Sequence, residues 1–263
     1  MITNKNIDGG RAFDWGRVSE SYAKYRDIYP PEFYEKIIAR GLVGKDRRIL
    51  DLGTGTGVLP RNLRRYGGIW TGTDISEGQI AKAKILSAET DIEYFVVPAE
   101  ELRFASDTFD TVTACQCFWY FDQEKLMPEL YRMLKPGGSL LVLYMAWLTY
   151  EDPIAGESEK LVLKYNPHWS GAGETVHPIH IPDICLKYFN PVYHEEYRLP
   201  VHFTRESWHG RMLACRGTGA SLSPEELSNW KKEHIELLNR IAPEEFDVAH
   251  YAAMVELKLL KNQ

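Results

Sequence analysis

The first 167 residues of this 263-residue chain contain no histidine; all eight lie at or beyond His168. An imidazole base for any chemistry in the first half must therefore come from later in the chain. Cysteine is scarce as well. Cys115, Cys117, Cys185 and Cys215 form no C-x-x-C pair, which reads as reduced core thiols and excludes the usual zinc and dithiol patterns. His177 and His180 flank a proline without a clear carboxylate partner, so no metal site is expected. Positive charge is not in excess: the formal net charge of −6 argues against tight contact with a polyphosphate backbone and leaves a small anionic substrate open. The longest apolar run, Leu140 to Leu148, is too short to span a bilayer, and residues 1–6 lack the apolar core of a signal peptide. A cytoplasmic chain with no membrane and no nucleic-acid partner is expected. No internal repeat or low-complexity segment appears.

What is present is a glycine turn between two apolar runs. Ile49-Leu50-Asp51-Leu52 leads into Gly53-Thr54-Gly55-Thr56-Gly57, and Asp74 ends a second apolar run seventeen residues later. This reads as a buried strand, a turn, a helix, a second strand and an acid placed to take ribose hydroxyls, the first half of a nucleotide-type cofactor site. The glycines permit positive φ and a close approach of backbone to ligand. A dinucleotide fingerprint requires G-x-G-x-x-G; here the third glycine comes one residue early and an acid sits two residues before the first. Strands are expected near 48–52, 68–74, 91–97, 109–116 and 138–147, with helices near 57–66, 77–88 and 123–135, the alternation of a parallel sheet. Ser76 with Gln79 starts the second crossover helix, which puts Asp74 at the carboxyl edge of its strand. Runs near 191–201 and 246–259 are candidates for a closing antiparallel pair.

The D-x-G-x-G-x-G arrangement resembles motif I of the class I S-adenosylmethionine-dependent methyltransferases, in particular the type 11 group. Thr71 to Ser76 is similar to the family's second motif. Ala99-Glu100-Glu101-Leu102 with Phe104 is similar to its adenine-side loop. Phe109 to Val112, Cys115 to Asp122, and Leu134-Lys135-Pro136-Gly137-Gly138-Ser139-Leu140 follow in the family's order. The resemblance covers about Arg48 to Leu143. It implies S-adenosyl-L-methionine as cofactor and a Rossmann-like three-layer α/β sandwich: a mostly parallel seven-stranded sheet with an antiparallel closing strand, plus a mainly helical cap. It assigns cofactor contacts to Asp51, Gly53, Thr54, Gly55, Asp74, Ile75, Ala99, Glu100, Cys115 and Arg26. Two positions depart from the family. Pro98 replaces a common aspartate, and Trp119 stands where relatives often carry histidine, so Trp119 is a candidate for the reaction centre without being a base.

The expected organisation is an N-terminal cap over 1–45, the cofactor core over 46–147, an insertion over 148–190, and closing strands over 191–263 with a helical insertion at 203–242. Sequence added outside such a core tends to cover the carboxyl edge of the sheet, where substrates bind. Tyr22 and Arg26 lie one helical turn apart. If Thr204 to Arg216 is helical, Trp208, Met212 and Cys215 form an apolar stripe, with Arg205, His209 and Arg216 beside it and Arg211 on its far side. Trp208, Arg211 and Arg216 are candidates to bind a carboxylate or planar substrate, and His209 and Tyr22 are candidates for catalysis. Snorkelling arginines on a packed helix explain the same pattern. Ser223-Pro224-Glu225-Glu226 marks the start of a further helix.

The expected function is methyl transfer to a small molecule, a carboxylate or an aromatic compound. An RNA-modifying methyltransferase and an NAD-binding oxidoreductase are the alternatives. Arg47, Arg48, Arg61, Arg64 and Arg65 form only a local basic cluster, which disfavours RNA, and the glycine spacing disfavours NAD.

Overall fold

The protein is described by a computed structural model covering residues 2, 3, 5 and 7–260; the expectation for the opening stretch and the ends of the 1–45 and 191–263 segments fall partly outside them. The chain divides into two compact units. Unit 1 comprises Met1–Ile28, Ala146–Val176 and Arg198–Tyr251; unit 2 comprises Tyr29–Met145, His177–Tyr197 and Ala252–Gln263. The division therefore splits the expected 1–45 and 148–190 segments between units. No helix among the described residues is long and apolar enough to cross a membrane.

Seven strands, β1 (Arg48–Leu52), β2 (Ile69–Asp74), β3 (Glu93–Val96), β4 (Phe109–Cys115), β5 (Leu134–Trp147), β6 (Phe189–Thr204) and β7 (Glu245–Leu259), form one sheet in the order β3-β2-β1-β4-β5-β7-β6. The pairs β1·β2, β1·β4, β2·β3 and β4·β5 are parallel, and the sheet is closed by one antiparallel strand. Ile49, Leu50, Leu52, Val112, Ala114 and Leu140 to Leu143 are buried, the near-continuous apolar run of strands covered on both faces.

In unit 2 the crossovers are α3 (Val58–Leu63), α4 (Glu77–Leu86) and α5 (Gln123–Met133), preceded by α2 (Pro31–Ala39) and joined later by α7 (Asp183–Leu186). Ser76 caps α4 through the Gln79 amide, as the sequence suggests. In unit 1, α1 (Ser19–Tyr25) packs on α8 (Arg205–Leu213), and α9 (Pro224–Ile241) packs on both α8 and α6 (Pro153–Tyr165). Capping boxes start α8 at Thr204/Ser207 and α9 at Ser223/Glu226, and each satisfies amides the first helical turn leaves open. The helix expected over 204–216 ends at Leu213, leaving Cys215 and Arg216 in the following turn.

Candidate cofactor site and the aromatic unit

Parallel pairing sets Leu52 beside Thr73 on one side and Ala114 on the other, so the carboxyl ends of β1, β2 and β4 stop together. The chain leaves β1 through Gly53, Gly55 and Gly57, all at positive φ (56°, 58° and 75°). An added Cβ at Gly53 would lie 2.8 Å from Cys117 Sγ, and one at Gly57 would collide with the Tyr94 hydroxyl, so packing forbids side chains there in addition to φ. Thr54 N–H donates to the Thr73 carbonyl at 2.9 Å and ties the turn to β2.

Asp51 is buried, and both its oxygens are engaged: Oδ2 accepts from Thr54 Oγ1 and Oδ1 from Thr113 Oγ1, each at 2.6 Å. Asp51 and Thr113 are register partners on β1 and β4. Burial pushes the Asp51 carboxyl up to about 7, opposed by the two hydroxyls. Asp51 thus braces the turn from beneath. Thr113 was not singled out by sequence reasoning; its signal was a hydroxyl inside the otherwise apolar β4.

Asp74 presents a different environment. Its Oδ2 accepts from the Gly55 amide at 3.0 Å and its Oδ1 from the Ser76 amide at 2.8 Å, while burial raises its pKa above the usual carboxylate range. Each oxygen retains a further acceptor lone pair. Beside it Ile75 is 53% exposed, an apolar side chain left open next to a fixed carboxylate. Ala99 is buried in the turn after β3, and Glu100 Oε1 accepts from the Asp122 amide that opens α5. Cys115 ends β4, with its Sγ 3.3 Å from the Tyr29 hydroxyl, and Cys117 donates to the Leu52 carbonyl at 3.0 Å. Trp119 is 39% exposed and meets Tyr144 edge-on at 5.2 Å. Structure therefore gathers Asp51, Gly53, Thr54, Gly55, Asp74, Ile75, Ala99, Glu100, Cys115 and Trp119 in unit 2.

Unit 1 holds the remaining candidates. Trp208 is fully buried, its indole donating to Ser158 Oγ at 3.0 Å. Arg211 is 4% exposed, with its guanidinium over Trp147 at 4.9 Å. Arg26, at the end of α1, lies over the Tyr22 ring at 5.1 Å, and Tyr22 meets Trp15 edge-on. Arg216 does not share the α8 face; it pairs with buried Asp8 at 3.0 Å and reaches Ser170 Oγ, which makes it an internal ion pair. His209 is stacked with Trp230 and His234, and its Nδ1 lies 2.8 Å from His234 Nδ1. Ser158 Oγ accepts from the Trp208 indole and lies 3.0 Å from His234 Nε2, so one hydroxyl links the tryptophan to the histidine pair. Burial holds His209 down at about 4 and His234 at about 3. Those contacts give His209 a packing role, and the catalytic role expected of it is not carried forward. Among the described residues there is no group of three or more His, Cys, Asp or Glu side chains arranged to hold a metal.

Residues 50–142 match the family model of the methyltransferase domain. The chain is 32% identical over 130 residues to a ubiquinone biosynthesis O-methyltransferase of Pseudomonas entomophila, covering 48% of this chain and 55% of that one. It is 40% identical over 102 residues to a demethylmenaquinone methyltransferase of Thermus thermophilus, covering 37% and 46%. The chain spans about half the length of the curated relatives it matches. In fold it is similar to the Haemonchus contortus phosphoethanolamine N-methyltransferase 2 crystallised with S-adenosylhomocysteine (TM-score 0.55, 20% identity, 94% of this chain and 58% of that one). It is likewise similar to the YcgJ protein of Bacillus subtilis (0.54, 18%, 88% and 99%). With the glycine turn, the acid after β2 and the seven-stranded order in place, residues 50–142 match a methyltransferase domain, and the chain is similar in sequence and fold to class I S-adenosylmethionine-dependent methyltransferases.

Proposed function

We propose that the protein transfers the methyl group of S-adenosylmethionine to a small-molecule acceptor, a carboxylate or an aromatic compound. The observation that carries the cofactor half is Asp74, fixed by the Gly55 and Ser76 amides beside exposed Ile75. A carboxylate with free lone pairs next to an open apolar side chain fits a ribose and an adenine on consecutive residues. The Gly53–Gly57 turn allows backbone to close on the rest of the molecule. Asp51 and Thr113 hold that turn from beneath. Ala99 and Glu100 border the adenine side, and Cys115 lies at the end of β4 toward the methionine portion.

When bound, the cofactor supplies a sulfonium methyl that is already electrophilic. The chain's own task is to hold a nucleophile in line and exclude water; positioning of this kind is worth effective molarities of about 10⁵ M or more. Acceptor recognition falls to Arg211, backed by Trp147, with Arg26 and Tyr22; Arg216, neutralised by Asp8, is left out. The relatives named for quinone biosynthesis support an aromatic acceptor. A carboxylate nucleophile needs no base near neutral pH.

Calorimetry with S-adenosylhomocysteine and with NAD tests the cofactor. Heat from the first and none from the second is expected; tight NAD binding without a response to either sulfur compound removes the proposal. Incubating labelled S-adenosylmethionine with cell metabolites, followed by mass spectrometry, identifies the acceptor by its gain of one labelled methyl group.

A further inference from the structure

β3 lies wholly within unit 2 and ends the sheet on its side, with β2 as its neighbour. Its register against β2 runs without a shift from Thr71↔Glu93 to Asp74↔Val96. The Val97 amide donates to the Asp74 carbonyl, so the alternation of a strand turns the main-chain groups of Phe95 toward β2 as well, and those of Tyr94 and Val96 away from it. Among the described residues, nothing bonds to the main chain of Tyr94 or Val96 on that open side. An edge of this kind is a template for a further strand, which chains block with charges, prolines, bulges or a covering element. The opposite edge strand, β6, contains Pro191 and carries Glu195, Glu196 and Arg198. On β3, Glu93 stands at the start and Pro98 lies beyond the end, while Phe95 and Val96 between them are 43% and 46% exposed.

The two exposed side chains point to opposite faces. Tyr94 is buried with Ile80 and Ala83 of α4, and Val96, two residues on, shares that face; Phe95 lies on the other, edge-on to Phe104 at 6.0 Å. A lipid surface would require a single apolar face. An apolar side chain on each face, with open main chain between, is complementary to another strand. The strand most complementary to β3 is β3 itself. Antiparallel pairing joins residues of the same hydrogen-bonding class, so a two-fold axis must pass through a pair of identical residues. Centred on Phe95, the axis sets Phe95 beside the partner's Phe95 in a non-hydrogen-bonded pair, with Cα atoms about 4.5 Å apart. Tyr94 then faces the partner's Val96, and each of these two pairs exchanges both its bonds, so all four open groups of each strand are satisfied. Glu93 faces the partner's Val97, and no carboxylate meets another. Centring on Tyr94 would set Glu93 against the partner's Phe95; centring on Val96 would pair Tyr94 with the partner's Pro98, which has no amide to donate.

We propose that two copies of this chain associate through β3, antiparallel and centred on Phe95, so that the sheets of two copies continue into one another. The association is independent of what the protein methylates. A single short strand buries little surface, which places the contact among weak, concentration-dependent interfaces.

Sedimentation of the full chain from about 1 µM to about 500 µM should show monomer passing into dimer. Phe95→Lys, which sets two like charges against each other at the axis, should keep the chain monomeric over that range. Val192→Lys, at an apolar residue of β6 that is 47% exposed, should leave the dimer as it is. Amide hydrogen exchange followed by NMR in the wild-type chain reads the register directly, and decides the matter should Phe95→Lys fail to fold. The amides of Tyr94 and Val96 should gain protection as concentration rises, while those of Phe95 and Val97, bonded to β2 in either state, should not. A monomer at every concentration leaves the edge to a strand of another protein and overturns self-pairing. A dimer that tolerates Phe95→Lys, a dimer lost with Val192→Lys, or protection that does not favour Tyr94 and Val96 overturns it equally.

Discussion

The buried groups whose titration is most perturbed differ in kind between the two units. In unit 2 the perturbed groups include carboxyls at strand ends, Asp51 and Asp74, each held by hydroxyls or amides a few residues away in sequence or one strand over. In unit 1 they are imidazoles, His209, His234 and His250, enclosed by tryptophans and a phenylalanine brought from distant segments. The first arrangement is made by main chain turning at a sheet edge; the second is made by side chains meeting across helices and strands. Burial disfavours the charged form in both, but it raises an acid and lowers a base, so the units should respond to pH in opposite senses.

The largest consequence falls on Asp51. Its folded carboxyl keeps a proton up to about pH 7, whereas the unfolded carboxyl releases it near 3.8, so stability falls as pH rises through that window and is flat above it. The effect is about 4 kcal/mol at most, and Asp51→Asn should abolish it in urea-unfolding curves recorded between those limits. A profile identical to wild type would show that the carboxyl ionises normally in the folded state.

His234 sets the opposite slope. Folded, it resists protonation down to about 3, while the unfolded ring charges near 6.5; stability is therefore retained above 6.5 and lost as pH falls below it. The loss reaches about 3 kcal/mol by pH 4 for this ring alone, and His234→Gln should flatten that limb. An unaltered acid limb in that variant would move the acid sensitivity to other groups.

A smaller change separates the units by function. Asp74→Ala should weaken S-adenosylhomocysteine binding by about 1.5–3 kcal/mol, the range for hydrogen bonds to a charged group. Arg211→Met should leave the same affinity within about twofold, a difference of some tenths of a kcal/mol. Equal losses in the two variants would erase the functional distinction between the units. The smallest expected effect is none at all: excess EDTA should shift neither the unfolding midpoint nor cofactor affinity.

What could be read in the sequence follows the same contrast. β1, β2 and β4 begin and end within a residue or two of their expected limits, and the Asp51-to-Gly57 turn, Asp74 and the Ser76 cap occur where contiguous motifs put them. Such features are local, so their cues lie side by side. β5 starts at Leu134, four residues earlier than expected: Pro136-Gly137-Gly138 reads as a turn and Gly137 does take a positive φ of 75°, yet the strand runs through it with a shift of register against β4. In unit 1 the helix at Arg205 was foreseen, but not its partners. Asp8 and Arg216 are more than 200 residues apart, and His209 meets His234 across two helices. A helical wheel shows which residues share a face and not what that face meets, so a basic stripe was expected where an ion pair and a ring stack occur.

Tyr94 carries a consequence for how this chain can change. It is the buried residue of β3; its hydroxyl meets Ser87 Oγ at 3.0 Å, and its ring fills the space over two glycines. A Cβ at Gly72 would sit 2.7 Å from that ring, and one at Gly57 would strike the hydroxyl. Substitutions at these positions are therefore ordered in time. Gly72→Ala is barred while tyrosine stands at 94; a smaller residue there removes the ring contact, and the methyl group of Thr54, 2.9 Å from the new Cβ, must then turn aside as well. Gly57 gains less from the same exchange, because its φ of 75° disfavours a side chain even in open space. Drift in this part of the molecule should run through position 94 first, and the reverse order should be found only as inactive or unfolded intermediates.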